Sequence, residues 1–295
     1  MRRNRIATLL MAVVALIGTV LLLPAGTASA AGPCDSAPRW VAGTWYPTGT
    51  VVRYTDGQYY IAEHDNPGYD PVISTWYWDP YTCQGGGTPG AFPVSEAQFR
   101  QMFPNRNAFY TYNGLVGALR AYPGFATTGS EQVRRQEAAA FLANVAHETG
   151  GLVHIVEQNT ANYPHYCDRN QPYGCPAGQA AYYGRGPLQL SWNFNYKAAG
   201  DALGIDLLHN PSLVQTDAAV SWKTALWYWN TQRGPGTMTP HDAVVGGHGF
   251  GETIRSINGA MECNGRNPAQ VQSRVDSYRR FTTILGVAPG GNLTC

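Results

Sequence analysis

Residues 130–152 read SEQVRRQEAAAFLANVAHETGGL. Val133, Glu137, Phe141 and Val145 recur at helical spacing, and Gly150-Gly151 stops the pattern. This is the strongest helix signal in the chain, and it delivers His147 and Glu148 to the helix end. A His-Glu pair suggests a zinc protease, but that chemistry needs a second histidine one helical turn after the first. The position four after His147 is Gly151, and the next histidine, His154, lies beyond the double glycine. No metal is therefore expected. Glu148 remains as a plain helix-terminal residue or as an acid catalyst. Helix C-termini carry partial negative charge, which together with burial favours the protonated carboxyl. A glycosidase uses such an acid to protonate its leaving group.

A second glutamate, Glu157, follows nine positions later. On one continuous helix nine residues turn a side chain by about 900°, placing the two carboxylates on opposite faces. The glycine break opens another route, in which the chain loops round and Glu157 faces back across a groove. Carboxylates roughly 6.5–9.5 Å apart leave room for a water between base and sugar, which gives inversion. The spacing permits this arrangement without requiring it.

The surrounding chain reads as a mostly helical domain with long loops. SEAQFRQMF (95–103), DAAVSWKTALWYWNT (217–231) and NPAQVQSRVDSYRRFTTILG (267–286) are the further helices, separated by stretches rich in Asn, Tyr and Gly. QGGGTPGAF (84–92) has no periodicity and reads as a linker. Ahead of it, VVRY and QYYIAEH alternate apolar with polar residues around Asp56-Gly57, a hairpin signal. A unit this small buries little and would lean on a Cys34–Cys83 bridge.

The chain opens with MRRNR, continues through small and apolar residues and reaches ASA at Ala28–Ala30. This pattern predicts a signal peptide over residues 1–30. The alternative, an uncleaved anchor, is disfavoured by the Pro24-Ala-Gly break, so a secreted, extracellular protein free of the membrane is expected. Six cysteines lie beyond the signal: Cys34, Cys83, Cys167, Cys175, Cys263 and Cys295. An even count in an oxidising compartment reads as disulfides, with sequential pairing the economical scheme. Charged residues are only 13% of the chain and the net charge is +1, against about a quarter charged in ordinary domains. Nothing in that balance attracts nucleic acid. With 18 Tyr and 8 Trp, a neutral partner with stackable faces fits, polysaccharide among them, although aromatics also build cores.

HETGG, YYGRGPLQLSWNFNY (182–196), WKTALWYW (222–229) and SINGAMEC (256–263) together resemble the family 19 glycoside hydrolases, the chitinases first described from plants. The resemblance spans residues 93–295. It implies a mainly α, bilobal, lysozyme-like fold and inverting endo-cleavage of β-1,4-linked N-acetylglucosamine, with no cofactor. By matching motifs, Glu148 is the general acid, Glu157 the general base and Ser191 a holder of the attacking water. Gln189, Asn195, Lys223, Asn258 and Arg274 fall at positions that line the family's cleft, the last two near its centre. Residue by residue, other roles stay open: Gln189 and Asn195 could bond only loop backbone, and Lys223 could be solvated. Tyr182, Tyr183, Trp222 and Trp227 could be core or sugar platforms.

Plant members carry a longer stretch between the glutamates and one more disulfide near the first helix. Here eight residues intervene, which resembles the short-looped bacterial branch and implies fewer sugar subsites. The pattern from Trp40 to Ala62, with Tyr46, Gly49, Val52, Tyr54, Gly57 and Tyr60 in register, resembles the chitin-binding modules of families 5 and 12, giving a module over residues 31–83. Some members carry a Trp-Trp pair where this chain has Glu63-His64-Asp65. Tyr69, Trp76 and Trp78 are the substitutes, with one of the two tryptophans expected in the core. The implied partners are chitin and its oligosaccharides, bound by a monomer, in chitin foraging or antifungal lysis. Two other readings compete: a peptidoglycan hydrolase on the same scaffold, and a non-catalytic chitin lectin.

Overall fold

The computed structural model describes residues 34, 37–62, 64–74, 76–81 and 92–295. The expected signal peptide, Cys83 and residues 84–91 of the expected linker lie outside them. Three short strands open the described chain, β1 (Val51–Arg53), β2 (Tyr59–Ala62) and β3 (Trp78–Tyr81), in an antiparallel sheet of order β1-β2-β3. Gly57 takes φ 84° in the β1–β2 turn, where the Asp56 carboxylate accepts from Gln58 N at 2.7 Å. Tyr46, Val52, Tyr60, Ala62 and Trp78 form a small core of their own. Cys34 is disulfide-bonded.

Nine helices follow among the described residues. They are α1 (Glu96–Met102), α2 (Tyr112–Ala118), α3 (Glu131–Thr149), α4 (Asn193–Leu203), α5 (Leu213–Thr216), α6 (Ala218–Thr231), α7 (Pro240–Val245), α8 (Phe250–Glu262) and α9 (Pro268–Ile284). The starts of α1, α3 and α6 are capped by Ser95, Ser130 and Asp217, whose side chains accept from backbone N–H groups of the first turn. In α1 the Gln98 side chain also reaches back to the Ser95 backbone, completing a capping box.

The helix read from residues 130–148 is α3, but it is buried on every side along its middle rather than on one stripe. Five alanines between 138 and 146 let α7, α8 and α9 pack closely around it. Gly150, at φ 62°, ends it in the left-handed conformation. The Thr149 hydroxyl then donates to Val145 O at 2.6 Å and accepts from Leu152 N at 2.7 Å, turning the chain sharply away.

Two apolar cores divide residues 92–295. The larger surrounds α3 and holds Phe99, Phe141, Trp222, Trp229 and Phe281. The smaller holds Tyr182, Leu190, Tyr196, Leu207 and Trp227. Tyr122 packs against both. Thus Tyr182, Trp222 and Trp227 are core residues. Disulfides Cys167–Cys175 and Cys263–Cys295 are formed. No described helix is long and apolar enough to cross a membrane.

Five helices, α2, α4, α5, α7 and α8, had no counterpart in the sequence reading. α4 starts inside the YYGRGPLQLSWNFNY block, and α8 runs through a stretch with Gly251, Asn258 and Gly259. Tertiary packing overrides weak propensity there. A Cβ on Gly251 would lie 2.0 Å from Thr294 O, so the C-terminal segment packs directly on the α8 backbone. α8 is also kinked, with Asn258 at φ −142° and ψ 28°.

Candidate active site

A cleft of about 760 Å³ opens between the end of α3, the loop that follows it, the 182–196 block and α8. Glu148, Glu157, Gln189, Ser191, Asn195 and Asn258 all line it. The double glycine does what the spacing permitted: α3 ends, the chain reverses, and Glu157 returns to the same cleft from a loop.

Glu148 stands at the last turn of α3 with its side chain 19% exposed. Arg274, from α9, lies fully buried behind it and donates to Glu148 through Nη2. The same guanidinium donates twice to Glu262, at 2.7 and 2.8 Å, and to Asn144 Oδ1 at 3.0 Å. Asn258 Nδ2 completes the set by donating to Glu262 Oε1 at 2.8 Å. Burial pushes the Glu262 carboxyl up, but the Arg274 bonds and charge more than reverse this and hold it below its usual value. Arg274 reaches Glu148 from behind without lining the cleft. His147, on the same turn, bonds Ser273 Oγ at 3.0 Å, and burial followed by the Arg274 charge lowers its pKa.

Among the described residues, no cation is bonded to Glu157. Its Oε1 accepts from Asn162 Nδ2 at 2.7 Å and from the Tyr166 hydroxyl at 3.0 Å, while buried Oε2 accepts no bond. Burial, then the bond to Glu157, pushes the Tyr166 phenol up to about 12, so it stays a donor. Asn162 and Tyr166 belong to a 3₁₀ segment, Thr160–Tyr166, whose Tyr163 hydroxyl donates to Glu157 O at 2.9 Å. The Tyr163 ring stacks on Tyr183 at 3.6 Å, and the Arg185 guanidinium covers that ring at 3.5 Å. Arg185 is buried, and its bonds go to neutral groups: Gln215, Tyr196 OH and the carbonyls of Ala181 and Tyr183.

The 182–196 block is held by tight backbone contacts. Arg185 and Leu190 form an antiparallel bridge, and Glu157 N donates to Gly184 O at 2.9 Å. Gly186, at φ 74°, has no room for a side chain, since a Cβ would lie 2.8 Å from Ser221 Oγ. Gln189 Nε2 donates to Gly186 O at 2.9 Å, and Asn195 Nδ2 donates to Ser191 O at 3.0 Å. Each thus uses one end of its amide on the loop. Lys223 is half-buried on α6 and is not part of the cleft lining.

In the N-terminal sheet, Tyr69 and Trp76 are exposed, and Trp76 stacks on His64 at 4.2 Å. Trp78, read as a candidate sugar contact, is instead the core tryptophan. It is buried, its Nε1 donates to Tyr69 O at 2.7 Å, and Tyr46 packs edge-on to it. Trp45 is a further exposed ring that the sequence reading passed over. Asn144, Glu262, Asn162 and Tyr166 were also missed, as was Tyr228, which lines the cleft. Asn144 had a signal, one turn before Glu148 on the apolar middle of a helix. Glu262 had one in lying a helical turn beyond Asn258. Nothing in the spacing marks Asn162 or Tyr166.

Two carboxylates converge on one polar cleft of a mainly helical fold, one from a helix end and one from a returning loop. The family described as chitinase class I matches residues 94–295, and the chain belongs to this family, the family 19 glycoside hydrolases. It is similar to Endochitinase B of Zea mays, 50% identical over 188 residues, covering 63% of this chain and 63% of the maize protein's own length. Basic endochitinase B of Arabidopsis thaliana is 38% identical over 255 residues, 72% of this chain and 75% of that protein. Among solved structures, a bacterial family 19 chitinase is 78% identical with a TM-score of 0.68, covering 69% of this chain and 100% of that one. Chitinase C from Streptomyces griseus HUT6037 is 74% identical with a TM-score of 0.70, covering 71% of this chain and 100% of that one.

Proposed function

We propose that the protein is a secreted endochitinase that hydrolyses β-1,4 N-acetylglucosamine linkages with inversion. The observation that carries this reading is the pairing of Glu148 and Glu157 across one cleft, each held by different neighbours. Glu148 donates its proton to the glycosidic oxygen as the C1–O bond breaks. Glu157 accepts a proton from a water, whose oxygen bonds C1 from the opposite face. Ser191 helps hold that water, and Asn258 positions the sugar. Arg274 stabilises the negative charge left on Glu148 as its proton departs. Solvent exchange then returns both carboxyls to their starting states. Gln189 and Asn195 have one amide end committed to the loop and the other available for the neutral amides and hydroxyls of the substrate.

In this reading residues 1–30 direct export, residues 31–83 grip chitin through Tyr69 and Trp76, and residues 84–92 tether that module to the catalytic part. The test incubates the mature protein and its Glu148→Gln and Glu157→Gln variants with N-acetylglucosamine hexamer, reading the anomer of fresh products. The expected result is α-anomers from wild type and a loss of about 10²–10⁴-fold in each variant. Release of β-anomers would overturn the pairing of roles, and chitin binding without hydrolysis would leave a lectin.

A further inference from the structure

Trp192 has φ 74° and ψ 135°, a backbone conformation that L side chains avoid because Cβ crowds the adjacent peptide groups. Its neighbours fix it there. Trp192 N donates to Tyr182 O at 2.9 Å, and Trp192 O accepts from Asn195 N and Tyr196 N at 3.0 and 3.1 Å as α4 begins. Glycine would take this conformation at little cost, yet the position carries the largest side chain. Burial does not offset the strain, because the residue is 36% exposed, whereas Trp222, Trp227 and Trp229 are all buried. The indole lines the cleft. It lies against Phe194 at 5.6 Å and 24°, and Tyr166 meets it edge-on at 5.6 Å and 90°. Tyr166 is also the donor to Glu157. Strain kept at an exposed ring, one aromatic contact from the base, points to a role outside the fold.

We propose that Trp192 is a sugar-stacking platform, on which one pyranose ring of the substrate lies next to Glu157. Its ligand class is a neutral, N-acetylated pyranose whose face of C–H bonds meets the π face of the indole. The ring's contacts with Phe194 and Tyr166 fix its orientation, so a sugar stacked on it is placed relative to the base. This inference rests on the glycoside-hydrolase reading of the cleft.

The experiment compares wild type with Trp192→Gly and Trp192→Phe. It measures Tm, KM for N-acetylglucosamine hexamer, and hexamer binding to the same proteins carrying Glu148→Gln. Trp192→Gly should raise KM and weaken binding about tenfold, the scale of one lost aromatic contact, with Tm unchanged or higher because glycine relieves the backbone. Trp192→Phe should keep most of the binding without the gain in Tm. If wild type hydrolyses the hexamer and Trp192→Gly binds it equally well, the platform is overturned while the enzyme reading stands. A Trp192→Gly protein that melts earlier, or fails to fold, overturns it too, because the ring then serves packing. A wild type that neither binds nor cleaves the hexamer overturns both.

Discussion

Glu148 and Glu157 face one cleft from walls built on different physics. Glu148 ends a nineteen-residue helix, and behind it a buried guanidinium is shared with a second carboxylate and the Asn144 amide, while Asn258 donates to that second carboxylate. Glu157 sits on a loop and is held by a phenol, an amide and a stack of two tyrosines under an arginine that bonds only neutral groups. A general acid must lose a proton and bear the resulting charge, so permanent positive charge beside it lowers the barrier. A general base must gain one, and a strong ion pair would hold back its lone pairs. Neutral donors orient Glu157 while leaving Oε2 unbonded.

The sharpest way to break this contrast is to remove the cation from each wall. Arg274→Met leaves Glu262 and Glu148 without their buried partner and should cost about 3–5 kcal/mol of stability, read by urea unfolding, with activity lost as well. Arg185→Met removes a guanidinium from neutral acceptors and should cost about 1–3 kcal/mol. If the second loss equals the first, the two walls are not held differently. Tyr166→Phe deletes one charged hydrogen bond to Glu157, the proposed base, and should lower kcat about tenfold or more, with Tm nearly unchanged. An unaltered kcat would show that Asn162 alone orients Glu157.

The smallest effect lies away from the cleft, at the buried Glu137 carboxylate. It accepts from Ala126 N, Trp229 Nε1 and His241 Nδ1. The bond to Glu137 raises the His241 pKa above 6.5 despite opposing burial, and the charges of Glu137 and Asp242 add to the rise. A raised folded value means this pair adds stability below pH 6.5 that fades as pH climbs through that higher value. Tm should therefore fall across that range in wild type and change less in His241→Gln. Equal slopes would refute the linkage.

The sequence carried α3, its glycine stop and both glutamates, because helix periodicity and a double glycine are local signals. It also carried the cleft-facing Ser191 and Asn258 through the resemblance. The partners of Glu157 were not legible, since Asn162 and Tyr166 act through a 3₁₀ turn whose geometry no periodicity encodes. Glu262 was written within a quoted motif, but its role depends on a guanidinium twelve residues on, brought back by helix packing. Trp78 and Trp76 share one local pattern, and only the sheet decides which ring turns inward.

The two unequal cores have a kinetic consequence. The residues around Glu148 belong to the larger core, whereas the block that supports Glu157 belongs to the smaller one, with Tyr122 touching both. Subglobal opening draws on regions with fewer buried apolar contacts. On warming, the smaller block should loosen first and separate the pair while the helices around α3 persist. Heat inactivation would then precede loss of the far-ultraviolet helix signal, and amide protons of residues 157–196 would exchange before those of α3.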